Sequence, residues 1–147
     1  MIAQHLGHVV FYVRDLNRSL TFYRDLLRFD EVGKIGDHVS ALTSGRTHHE
    51  ILLIEVGDAP GPMQGKRIGL YHIGIKVGNT LNELRLVRDE IIEHGIQIDG
   101  ASDHTVTQSL YVRDPDGNEV ELYVDADPKI WKDDPSKIVS PIKPLDL

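Results

Sequence analysis

Two halves of this chain carry one hydrophobic pattern in the same order. In the first half, LGHVVFYV at about residues 6–13 alternates like a strand, with Val9, Phe11 and Val13 on one face and His8 on the other. Leu16, Leu20, Tyr23 and Leu27 then recur at helical spacing. This predicts a helix over about 16–28, capped by Asp15 or Asn17. Three strand-like runs follow, FDEVGK, HVSALTS and HEILLIEV, separated by turns that contain glycine. A Gly- and Pro-rich stretch at about 58–69 reads as a linker.

The order then starts again. LYHIGIKV places Ile73, Ile75 and Val77 on one face and His72 on the other. Thr80 and Glu83 form a capping box for a helix with Leu84, Val87 and Ile91 inward, ended by Gly95. IQIDG, QSLYVRD and EVELYVD complete the set, with a tight turn at Asp114-Pro115-Asp116-Gly117 between the last two. Each half is β-α-β-β-β, and His8 and His72 hold the same place in their halves. The expected fold is α+β: two paired modules, about 5–57 and 70–125, forming a cupped half-open barrel within one domain, 1–147. The tail, about 126–147, holds four prolines and reads as irregular chain that packs through Ile130 and Trp131.

Composition narrows the chemistry. The 147 residues have 40% hydrophobic and 27% charged content, as an ordinary soluble protein has. A net charge of −7 without a basic cluster speaks against nucleic acid or an anionic membrane as partner. No signal peptide or membrane span is legible, so a cytoplasmic location is expected. There is no cysteine, which excludes disulfides, thiolate metal sites and thiol nucleophiles. Eight scattered histidines are the feature to pursue.

Alternation on the last strand turns Val120, Leu122 and Val124 inward, and leaves Glu121 on the other face with His72. A carboxylate within a strand is costly to bury unless it is paired or binds a metal. His8, His72 and Glu121 together are the donor set of the facial triad of non-haem Fe(II) oxygenases. They are equally consistent with two cavity histidines and an edge-strand glutamate. Glu50 and Glu55 read as solvated or as substitute carboxylates, and Asp133-Asp134 as solvated charge.

These motifs resemble the vicinal-oxygen-chelate (glyoxalase/bleomycin-resistance/dioxygenase) superfamily over about residues 6–125. LGHVVFYVRDL followed by LTFYRDLL is similar to its module opening, and DPDGNEVEL to its closing strand. Within it, His104, Leu110-Tyr111, Asp114-Pro115-Asp116-Gly117 and Glu121 resemble the signature of type I extradiol dioxygenases, with Ser102 departing from the usual set. The resemblance implies Fe(II) as cofactor, held by His8, His72 and Glu121, with Mn(II), Zn(II) or Ni(II) as alternatives. It implies an aromatic diol and O2 as substrates, Tyr111 and His104 contacting the diol, and an acid/base histidine from Thr47-His48-His49-Glu50. His49 is favoured over His48, because the repeat aligns it roughly with Glu121. Two other readings stand beside this one. The first is a glyoxalase-type lyase, epimerase or fosfomycin-type thiol transferase, the lyase drawing a further ligand from Glu50 or Glu55. The second is a metal-free small-molecule binding protein. A homodimer is expected, with modules pairing within or between chains.

Overall fold

The computed structural model describes residues 2–147. They form two compact units. The first runs through Met63 and includes Pro115–Gly117; the second comprises Gln64–Asp114 and Asn118–Leu147. The architecture is α+β with two separate sheets, as the repeat predicts.

In the first unit β1 (Val9–Val13), β2 (Asp30–Ile35), β3 (Val39–Thr43) and β4 (Ile51–Glu55) form a sheet of order β1-β4-β3-β2. β1 and β4 are parallel, and the other pairs are antiparallel. The helix begins as α1 (Leu16–Leu20), capped by the Asp15 side chain, then widens into a π-helical stretch over Thr21–Leu26. This corrects the expected single α-helix. The wider turns bury Leu26, and leave Leu27, expected inward, only half-buried. Leu16, Leu20, Phe22 and Tyr23 complete the buried face with Phe11, Leu42 and Leu53 of the sheet.

The second unit repeats this plan with one addition. β5 (His72–Gly78), β6 (Ile98–Asp103), β7 (Thr107–Arg113), β8 (Glu119–Asp125) and β9 (Lys143–Pro144) form a sheet of order β5-β8-β7-β6-β9. The helix α2 (Leu81–Glu93) starts at Thr80, whose hydroxyl accepts from the Glu83 backbone, as the capping box predicts. It packs on β5, β7 and β8. Val112, Val120, Leu122 and Val124 are fully buried, as are Leu84 and Ile91 of the helix. Burial of each such side chain contributes about 1.5–3 kcal/mol, so this face fixes the register of β8. The opposite face of the sheet is thereby left for Glu119, Glu121, Tyr123 and Asp125.

The tail is not irregular, as its prolines had suggested. Pro128 and Pro135 each occupy the first turn of a helical segment, α3 (Pro128–Asp133) and a 3-10 turn (Pro135–Val139), where a missing N–H costs nothing. Asp127 and Asp134 cap them, so Asp134 has a structural task beyond solvated charge. β9 then pairs with β6, which ties the tail down at its far end. No helix of the described residues is long and apolar enough to cross a membrane.

Candidate functional site

The sequence-predicted residues fall into two groups. His72, His104, Tyr111 and Glu121 belong to the second unit, His8 and His49 to the first.

In the second unit, strand register gathers the group. Tyr111 on β7 lies directly opposite Glu121 on β8, and Gly74 lies opposite Glu121 on its other side. A side chain on Gly74 would begin 3.5 Å from Glu121 Oε2, so the bare glycine keeps space open above the carboxylate. His72 stands two residues earlier on β5, and its Nε2 reaches across to Glu121 Oε2 at 3.2 Å. The Tyr111 hydroxyl donates to Glu121 Oε1 at 3.4 Å and shares a hydrogen bond of 2.5 Å with His104 Nε2. Burial, then the charge of Glu121 and its hydrogen bond, push the Tyr111 phenol up to about 12. Ser102, the departure from the dioxygenase pattern, opposes this and so acts on the same phenol.

His104 sits in the turn between β6 and β7. Its backbone N–H donates to Thr107 O at 2.8 Å. The next residue, Thr105, has φ +73°, a left-handed conformation that a β-branched residue rarely adopts. Its N–H is caught by Asp103 Oδ1 at 2.7 Å. Strain of about 1–3 kcal/mol is held there by these bonds, and it sets the direction in which His104 leaves the chain.

These four side chains line a cavity of about 510 Å³. Its apolar lining comes from Val106 and from the tail, through Trp131, Pro135 and Ile138. Composition alone did not tie the tail to the site. The only hint was an unexplained tryptophan in a Pro-rich stretch.

In the first unit, His8 lies one residue before β1, not within it. His48 and His49 lie in the turn before β4 rather than opening that strand. The three rings still cluster: His8 and His49 have centroids 4.5 Å apart, and His48 and His49 share a 2.6 Å bond between their Nδ1 atoms. Burial, then the His8 and His48 rings, hold His49 below the usual imidazole range, against the pull of Glu50. The register corrects the rough equation of His49 with Glu121. Val9 faces Ile51 as Ile73 faces Val120, so Leu52 holds the place of Glu121 and Glu50 that of Glu119. The loop before β4 differs in length from the turn before β8, which is why counting along the chain misplaced the equivalence.

The two carboxylates considered as further ligands are otherwise engaged. Glu50 accepts from the Ser44 N–H and hydroxyl and the Thr43 hydroxyl, and pairs with Arg46. Glu55 accepts from the Leu16 N–H at 2.7 Å at the start of α1.

Among the described residues, no three His, Asp or Glu side chains are gathered as a metal-holding group. The donor chemistry of the second unit nevertheless suits a divalent ion. Two ligands in adjacent positions, each at about 2.1 Å, stand about 3 Å apart, and His72 Nε2 and Glu121 Oε2 are separated by 3.2 Å.

Comparison with known proteins agrees with this architecture. The chain is 36% identical over 130 residues to the catechol-2,3-dioxygenase of Bacillus subtilis (strain 168), covering 88% of this chain and 45% of that protein. It is 30% identical over 130 residues to biphenyl-2,3-diol 1,2-dioxygenase 3 of Rhodococcus globerulus, covering 84% and 65%. It thus spans about half to two thirds of the length of these relatives. The crystal structure of lactoylglutathione lyase from Agrobacterium tumefaciens superposes with a TM-score of 0.65 at 22% identity, over 89% of this chain and 98% of that one, a likeness of fold. The family model for the Glyoxalase/Bleomycin resistance protein/Dioxygenase superfamily matches residues 5–122, nearly the whole of both repeats. By its paired β-α-β-β-β modules and this match alike, the chain belongs to that superfamily.

Proposed function

We propose that this chain is an Fe(II)-dependent extradiol dioxygenase that opens the ring of a catechol-type aromatic diol with O2. The observation that carries the reading is the continuous line His104–Tyr111–Glu121–His72 along a cavity that Val106, Trp131, Pro135 and Ile138 make apolar on another side. The dioxygenase names of two relatives at 30% identity or more support it.

In this reading His8, His72 and Glu121 hold the metal. When bound, the metal makes the diol hydroxyls more acidic and carries electrons from the diol to O2. The chain's own residues do the rest. Tyr111, whose phenol lines the cavity beside Glu121, donates a hydrogen bond to a diol oxygen. His104, bonded to Tyr111, orients that hydroxyl and contacts the same oxygen. His49, held below the usual imidazole range, is uncharged at neutral pH and is the group to take a proton from the diol and return it. Val106, Trp131 and Ile138 exclude water and receive the hydrocarbon part of the substrate.

The lyase reading loses ground on one point. A carboxylate from the last strand of the first half would be needed, and there Leu52 holds the place that Glu121 holds in the second half, while Glu50 and Glu55 are bonded elsewhere. The test is anaerobic reconstitution with Fe(II), then a panel of catechols under air. Stoichiometric O2 uptake with a yellow ring-opened product is expected. A protein inactive on every catechol that retains another divalent metal and acts on a thiol adduct would overturn the proposal.

A further inference from the structure

Glu119 belongs to no proposed ligand set, yet its side chain is only 9% exposed. It lies directly opposite His72 in the parallel β5–β8 register and shares a face with Glu121. Its Oε1 accepts from His72 Nδ1 at 3.2 Å, and its Oε2 accepts from Arg113 Nη2 at 3.3 Å. The charge of Glu119, first among the causes, also pushes the nearby Tyr71 phenol up. Arg113 is itself anchored, by Asp99 at 2.8 Å and by Gln64 at 3.0 Å. The His72 ring is therefore held between two carboxylates, Glu119 at Nδ1 and Glu121 at Nε2.

A neutral imidazole has one proton to give. Given to Glu119, it leaves a bare lone pair on Nε2 directed at Glu121 Oε2, 3.2 Å away. Two lone pairs at that distance repel, unless a cation lies between them. The first unit offers an internal contrast. The residue in Glu119's place there is Glu50, whose carboxylate is turned to Ser44, Thr43 and Arg46 instead of to a histidine.

We propose that Glu119 is a positioning residue for His72. By accepting the Nδ1 proton and being clamped by Arg113, it fixes the ring and the tautomer that present Nε2 beside Glu121 to one divalent cation. This rests on the reading that His72 and Glu121 are ligands.

The test uses the full chain without metal and three variants, Glu119→Gln, Glu119→Ala and Glu121→Gln. Mn(II) is titrated in, and binding is followed by loss of the free-ion electron paramagnetic resonance signal. The unaltered chain is expected to bind Mn(II). Glu119→Ala should weaken binding by about 10–100-fold. Glu119→Gln, whose amide oxygen still accepts the Nδ1 proton, should lose less and serves as the folded control if the alanine variant is unstable. Glu119→Ala binding Mn(II) within twofold of the unaltered chain, or Glu119→Gln losing as much as Glu119→Ala, overturns the inference. Failure of the unaltered chain to bind any Mn(II) overturns the ligand reading and this inference together. That result is distinct from failure of the inference alone, in which Glu121→Gln loses the metal and Glu119→Ala keeps it.

Discussion

Tyr111→Phe separates chemistry from architecture at this site. The substitution deletes one oxygen and leaves the ring, so no cavity larger than a hydroxyl opens on β7. What is lost is the 2.5 Å bond to His104 and the 3.4 Å bond to Glu121. One net hydrogen bond contributes about 0.5–1.5 kcal/mol, and a partner left unsatisfied costs about 1–3. Glu121 keeps His72 as a partner and His104 is partly exposed to water, so the lower end applies, about 1 kcal/mol. For a chain of this length that lowers Tm by about 2–4 °C. If Tyr111 donates to the substrate, turnover should fall by about 10²–10⁴-fold, equivalent to about 3–5 kcal/mol. Metal content should not change. The assay is urea unfolding, metal analysis and O2 uptake on the same preparations. A turnover loss under about fivefold would remove Tyr111 from the chemistry, and a stability loss above about 3 kcal/mol would make its task structural.

Trp131→Ala removes an apolar wall contributed by the tail. It should raise KM for catechols with apolar substituents by about 5–30-fold, or 1–2 kcal/mol, with little effect on the unsubstituted diol; equal effects on both would dissociate the tail from substrate choice. Hydrogen bonds from Ser44 and Thr43 and the charge of Arg46, outweighing burial, hold Glu50 below the usual carboxylate range. Its contribution is therefore present above the unfolded pKa, about 4.3, and lost as pH falls through the lower folded value. Glu50→Gln should flatten the stability profile in that acid window, and an unchanged profile between pH 5 and about 2 would contradict the assignment. Thr105→Asn should relieve the left-handed strain and stabilise the chain by about 1 kcal/mol in denaturant unfolding; a loss of stability would show that the Thr105 side chain makes contacts that outweigh its backbone.

Much of the plan is legible in the sequence because it is local. Val120, Leu122 and Val124 alternate strictly, the Thr80–Glu83 box marks a helix start, and the repeat places His8 and His72 alike. What escaped depends on partners distant in sequence. Glu119 has the same alternation as Glu121, yet nothing nearby announces Arg113 as its clamp. The π winding of Thr21–Leu26 is a choice of hydrogen-bond partner within a pattern that fits either helix, and Leu26 and Leu27 exchange roles accordingly. Prolines in the tail read as breakers, but at the first turn of a helix they are compatible with it. The turn carrying His48 and His49 looks like the start of β4 because apolar residues follow at once, whereas its shape is set by the Glu50 carboxylate reaching back to Ser44.

In the second module, β5 to β8 without the tail strand β9, the first and last strands in sequence are neighbours in space. His72 and Glu119 are 47 residues apart in sequence and in contact across that seam. The seam is the last part of the module that synthesis or folding can close, because α2, β6 and β7 must be accommodated before β8 can dock. The entropy of closing so long a loop favours late formation. A cation shared by His72 and Glu121 would thus have nothing to bind in a half-folded chain. Bound at a hundredfold above its Kd, it would stabilise the finished module by about 2.7 kcal/mol. Metal occupancy would in that case report completed folding as well as readiness for chemistry, and a chain cut short before β8 would be blind to the ion.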